Sequence, residues 1–174
     1  MPKIIENIRE NLLEEAKRQV KELGYSAMTI RSVANACGVG VGTVYNYFSS
    51  KDMLVASFML EDWEVCMKDI TKGVSEAEVF QDALYCIHSN LRSFKEKYIL
   101  LFTDKDAEAG YTASSIQRHS ILRNQLAESL KMWTSKQTKS DANFLAVFIA
   151  ESVLTWTMED KEFEQIAPIL LQLV

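Results

Sequence analysis

A chain of 174 residues that is 48 % hydrophobic and 25 % charged can bury a sizeable core and is too apolar to remain disordered. With only 6 glycines and 2 prolines it lacks the usual punctuation of a β-rich fold. The net charge of -5 is uneven: residues 1–51 hold seven Lys/Arg against five Glu (+2) and the remainder twelve against nineteen (-7), a mildly basic head on an acidic body that suits presenting one end to a polyanion.

The first predicted helix spans Lys3 to Leu23, where Ile4, Ile5, Ile8, Leu12, Ala16, Val20 and Leu23 form one apolar stripe and Gly24 supplies the stop. Thr29 caps a second helix from Ile30 to Cys37, and Gly38 ends it. A short third helix covers Gly40 to Tyr47. Ser49 or Ser50 caps a fourth, with Asp52 favourable near its positive end, and this helix continues through Leu54, Phe58 and Met59 towards Ile70. Residues 73–75 read as a break and a domain boundary. Phe80, Leu84, Ile87, Leu91, Phe94 and Tyr98 form the seam of a fifth helix. The stretch 103–115 reads as irregular. Ile116, Leu122, Leu126, Leu130 and Trp133 mark a further long helix, followed by a polar loop at 135–140. The helix predicted over 141–158 is apolar on nearly every side and needs cover from several directions. A last helix over 161–173 contains Pro168, which kinks it or shortens its regular part. The expected class is all-α.

Residues 30–49 concentrate the functional signal. Two short helices that cross closely need a small residue at the crossing, met by Ala34, and a turn residue tolerant of positive φ, met by Gly38 four residues later. Val33, Cys37, Val39, Val44 and either Tyr47 or Phe48 can supply their shared core. This is the spacing of a helix-turn-helix, whose second helix enters the major groove of DNA.

The wider segment resembles the tetracycline-repressor (TetR) family of bacterial regulators. The resemblance rests on the leading amphipathic helix and on Gly24 to Ile30, Val33-Ala34, Gly38-Val39, Gly42 to Phe48 and Ser50 to Leu54. It covers about residues 5–58. It implies a three-helix DNA-binding head at 1–50 and a helical effector and dimerisation body at 51–174. Under this reading Thr29 contacts phosphate from the start of the second helix, and Arg31 contacts backbone phosphate or reaches a groove edge. Gly40, Val41, Gly42 and Thr43 form the tip of the recognition helix, the glycines permitting close approach to DNA. Tyr45 and Tyr47 resemble the family's phosphate-contacting aromatics, Asn46 suits adenine, and Lys51 resembles its phosphate-binding lysine. Tyr47 can equally be read as core, and Arg31 as a solvated charge. Val41 stands where many members carry a polar or basic residue, which shifts readout towards thymine methyls and DNA shape.

One head covers too few base pairs for specificity, so the resemblance implies a homodimer on a near-palindromic operator of double-stranded DNA. The dimer face is expected from Phe144, Phe148, Glu151, Thr155, Phe163, Ile166 and Leu170. In such regulators ligand binding shifts the body to a geometry that no longer fits DNA. Tyr85, His88, Phe102, Tyr111, His119, Met132, Trp133 and Trp156 are the candidates for contacting a small apolar or aromatic effector, though each also reads as plain core. A regulator of the same build governed by a protein partner, or without an effector, stays open.

The three cysteines are few, widely spaced and lack a CxxC pair, which argues against a disulfide framework and a zinc site. They are expected to be small buried residues in a reducing cytoplasm. His88 and His119 have no metal-ligand spacing, so no metal or cofactor is expected. No Gly-x-Ser-x-Gly, His-Glu-x-x-His, Glu-x-x-His pair or P-loop supports an enzyme. Gly40 and Gly42 do not form a nucleotide loop, because no Gly-Lys-Ser/Thr follows and no strand precedes. No signal-peptide core and no uncharged membrane-length run occurs, so a cytoplasmic location is expected.

Overall fold

The computed structural model describes residues 7–136 and 141–174, with the backbone alone over 106–118. Every α-helix and the one short 3-10 turn belong to an all-α chain, and the described residues include no strand. Two compact units result, one from residues 1–63 and 97–111, the other from 64–96 and 112–174. These units do not coincide with the functional division expected at residue 50.

In the first unit, α1 (Ile8–Leu23) turns Leu12, Ala16 and Val20 inward, all fully buried. Gly24 ends it at φ +85, a conformation that a Cβ would strain. Of the expected apolar stripe, Ile4 and Ile5 lie outside the described residues. The helices α2 (Ile30–Ala36) and α3 (Val41–Tyr47) pack through fully buried Val33, Ala34 and Val44, and Gly38 makes the turn at φ +68. Helix α4 (Lys51–Glu76) starts where the Ser50 hydroxyl accepts the amide of Met53 at 3.1 Å.

Asp62 organises the far end of this unit. Its carboxylate accepts from Lys17, Lys97 and the Tyr98 hydroxyl, while the Tyr98 ring stacks on Phe58 at 6.0 Å. Burial would raise the carboxyl's pKa, but these three donors outweigh it and hold the group below its ordinary value. The short α6 (Ile99–Phe102) follows.

In the second unit the expected break at 73–75 is absent, and α4 runs through it to Glu76. A Cβ on Gly73 would stand 2.3 Å from Cys86 Sγ, so this glycine admits α5 (Phe80–Lys97) rather than ending α4. The expected irregular stretch at 103–115 is likewise replaced by helix from Lys105 onward, as part of α7 (Lys105–Thr134). Gly110 and the small polar residues of that stretch are poor helix formers, but such costs of about 1 kcal/mol or less per residue are overridden by context. Asp141 caps α8 (Ala142–Met158) by accepting the amides of Asn143 and Phe144 at 2.8 and 2.9 Å. After α9 (Phe163–Leu170) the chain tightens into a 3-10 turn over Leu171–Leu173. Pro168, without an N–H, sits two residues before α9 ends.

The turn between α8 and α9 is braced by α5. Buried Lys95 donates to the Met158 carbonyl at 2.7 Å and pairs with Asp160 at 2.7 Å, which satisfies the negative end of α8. One turn away, Arg92 pairs with Glu162. His88 Nε2 donates to the Lys161 carbonyl at 3.0 Å.

Candidate nucleic-acid interface

The start of α2 is set by a reciprocal cap. Thr29 Oγ1 accepts the amide of Ser32 at 2.9 Å, and Ser32 Oγ accepts the amide of Thr29 at 3.0 Å. Ser32 Oγ lies 2.6 Å from Oε1 of buried Gln19, whose amide donates to Glu15 at 2.7 Å. A polar path therefore ties the cap to α1. The pattern Thr29-x-x-Ser32 carried a signal for the cap, with serine standing where a glutamate or glutamine is usual, whereas the involvement of Gln19 had none.

Arg31 is exposed in the first turn of α2 and makes no hydrogen bond or ion pair among the described residues. A cation is unfavourable at the positive end of a helix, so its position is better suited to an external anion than to the helix itself.

Gly40 precedes α3 at φ -73 and ψ 149. An added Cβ would meet only Thr43 Oγ1 at 3.9 Å at Gly40, and nothing within 4 Å at Gly42. The glycines thus leave open space along the tip of α3, where Val41 and Thr43 are half-buried. Beyond them Tyr45, Asn46 and Tyr47 are exposed, and Val44 and Phe48 are buried. The choice between Tyr47 and Phe48 as the core aromatic resolves to Phe48, at 4 % exposure against 48 %.

Lys51 takes an unexpected setting. Its ammonium stands 3.9 Å from the ring centroid of Tyr25, whose hydroxyl donates to Asp52. Tyr25 and Asp52 position this lysine, and no local sequence pattern links residues so far apart. The α1–α2 turn is held by Asp104, which accepts both the amide and the hydroxyl of Ser26 at 2.8 Å. A shallow opening of about 340 Å³ lies beside α3, lined by Arg9, Tyr45, Asn46, Tyr47, Ser49 and Ser57 among others.

Of the described effector candidates, His119 alone lines either the opening beside α3 or the groove beside α8. Tyr85 is exposed and stands edge-on to Phe163 at 5.1 Å, and His88 braces the α8–α9 turn. Phe102 is exposed in the first unit, on α6. Met132 is exposed and Trp156 half-buried. The side chain of Tyr111 lies outside the described residues. Trp133 is buried against Phe80 at 5.7 Å, and its indole N–H has no partner among the described residues.

His119 sits instead with a residue expected at the dimer face, its Nε2 2.8 Å from Glu151. They line a groove of about 780 Å³ with Arg123, Phe144, Val147 and Phe148. Glu151 also accepts from Thr155 at 3.1 Å. Burial would raise its pKa, but His119, Thr155 and Arg123 lower it below the ordinary value. Phe144 and Phe148 are exposed and Phe163 half-buried, whereas Ile166 and Leu170 are buried within the chain's own core. The outward apolar residue on α9 is Ile169. Of the cysteines, Cys66 is buried, and Cys37 and Cys86 are only half-buried. Burial pushes both of the latter thiols up in pKa, which favours their protonated form. No helix among the described residues is long and apolar enough to cross a membrane.

The sequence profile of the family described as bacterial regulatory proteins, tetR family, matches residues 12–58. The HTH-type transcriptional regulator UidR of Escherichia coli is 29 % identical over 56 residues, covering 32 % of this chain and 29 % of that protein. The HTH-type transcriptional repressor Rv1474c of Mycobacterium tuberculosis is 34 % identical over 68 residues, covering 37 % of this chain and 36 % of that protein. The matched stretch thus spans about a third of the length of these curated relatives. Across the whole fold, the TetR family repressor AlkX from Dietzia sp. superposes with a TM-score of 0.65 at 21 % identity, covering 94 % of this chain and 98 % of that one. Residues 12–58 are thus similar to the DNA-binding segment of the tetR family of bacterial regulatory proteins, and the all-helical fold of the chain is shared with AlkX.

Proposed function

We propose that this chain is a sequence-specific DNA-binding transcriptional repressor that acts as a homodimer and is released from its operator by a small molecule. The observation that carries the reading is the outer face of α3. Tyr45, Asn46 and Tyr47 stand exposed on a short helix locked by Gly38 and by buried Val33, Ala34 and Val44, within the segment matched to the tetR family. Tyr45, Tyr47, Thr29, Arg31 and Lys51 supply phosphate contacts, while Thr43 and Asn46 face base edges. Two heads on a near-palindrome supply the length of sequence that one lacks. The sign of regulation follows the name of the Mycobacterium tuberculosis relative, a repressor.

The dimer is assigned to the outward stripe of α8, Phe144, Phe148, Glu151 and Thr155, joined by Phe163 and Ile169 rather than by Ile166 and Leu170. Exposed phenylalanines one helical turn apart are costly unless covered. The effector is assigned to the body, with Trp133 as its best-supported contact, because a buried indole N–H with no partner among the described residues is suited to donate to a ligand oxygen.

The test is duplex retardation on DNA selected from a random-sequence pool, at two salt concentrations, with Asn46→Ala alongside. Specific, salt-sensitive retardation that the variant alters in base preference is the expected result. Absence of retardation by a folded protein would overturn the reading.

A further inference from the structure

Arg9 lies outside the helix-turn-helix, in the first turn of α1, yet it lines the same opening as Tyr45, Asn46, Tyr47 and Ser49. Its guanidinium stands 5.8 Å from the ring centroid of Phe48, the buried aromatic that ends α3. A guanidinium within about 6 Å of a ring is attracted to it while its N–H donors stay available to other partners. Of its five donors, Nη1 alone is engaged among the described residues, donating to Glu61 Oε1 at 3.1 Å. Both partners of that pair are half exposed, at 45 % and 52 %. An ion pair so open to water is weak and easily exchanged. A phosphate diester offers the same guanidinium two anionic oxygens and a matching fork.

We propose that Arg9 is a further phosphate contact of the DNA-binding head, held in position by Phe48 and, until DNA arrives, by Glu61. Phosphate displaces the carboxylate, so Glu61 acts as an internal competitor. This inference rests on the DNA-binding reading above. It makes the two residues of one ion pair change binding in opposite directions, which a merely structural pair does not do.

The test measures anisotropy of a labelled random-sequence double-stranded DNA across a salt series, for wild type, Arg9→Ala, Arg9→Lys and Glu61→Gln. Thermal melting of each variant checks that the fold persists. Arg9→Ala is expected to weaken binding about tenfold at low salt and to flatten the slope of log K against log salt by about one unit per head. Arg9→Lys should keep the slope while losing part of the affinity, since it retains the charge without the fork. Glu61→Gln should tighten binding, by up to about fivefold, the worth of the exposed pair it abolishes. If Arg9→Ala leaves the slope unchanged while wild type binds, or if Glu61→Gln weakens binding as Arg9→Ala does, the assignment of Arg9 fails alone. If wild type binds no duplex at any salt, the DNA-binding reading fails with it.

Discussion

Helices α3 and α8 both turn aromatic side chains outward, and they differ in one atom. Tyr45 and Tyr47 end in hydroxyls on a glycine-flanked helix of the first unit, whereas Phe144 and Phe148 carry no polar atom. A tyrosine edge can lie on a wet, anionic surface and donate to it, while a phenylalanine gains only where water is removed altogether. Under the proposed function, the difference in hydroxyls separates the face assigned to DNA from the face assigned to a second copy of the chain.

The largest expected effect concerns neighbours on α3. Phe48→Ala should lower the unfolding free energy in urea by about 3–5 kcal/mol, because the ring fills the head's core. Tyr47→Ala should change it by less than about 0.5 kcal/mol, as expected of a surface position. Equal costs would mean that the outward face of α3 is drawn wrongly.

On α8, Phe148→Asp should weaken self-association by about 2 kcal/mol or more, roughly thirtyfold, in sedimentation equilibrium, with helicity retained. A variant that stays as dimeric as wild type would remove α8 from the seam. Tyr47→Phe and Tyr45→Phe test the hydroxyls directly. Each should weaken binding to all duplexes by about 0.5–1.5 kcal/mol without altering self-association.

The smallest effect is one of pH and concerns the first unit. Asp62 is held below its ordinary pKa of 3.8 by Lys17, Lys97 and Tyr98, against the opposing pull of burial. A carboxylate with a depressed folded pKa contributes stability that is full above the unfolded value and is lost as pH falls through the folded one. Thermal melting should therefore show a loss of stability beginning near pH 4 and deepening below it. Asp62→Asn should flatten that loss.

Much of the head was legible because its determinants are local. The i, i+4 stripe of Leu12, Ala16 and Val20, the cap at Thr29, the positive-φ glycines Gly24 and Gly38 and the small Ala34 each act within a few residues of their effect. Gly73 shows the limit of that logic. Read locally it breaks a helix, whereas its real constraint is the Cys86 side chain on another helix. His88 shows the same limit: read locally it stays open between ligand contact and core, and only the fold shows the Lys161 carbonyl that its Nε2 meets.

The amino-acid sequence by itself determined the all-helical class, the caps and turn of the helix-turn-helix and the face of α3 that carries Asn46, since backbone sterics and helical periodicity act over one or two turns. Tertiary structure alone decided which of Tyr47 and Phe48 is core, why Gly73 sits inside α4, and how Tyr25, Asp52 and Asp104 hold the head. It also decided that α9 turns Ile166 and Leu170 inward and Ile169 outward. Those outcomes depend on close packing and hydrogen bonds between residues far apart in the chain, and periodicity carries no information about which distant side chain will arrive.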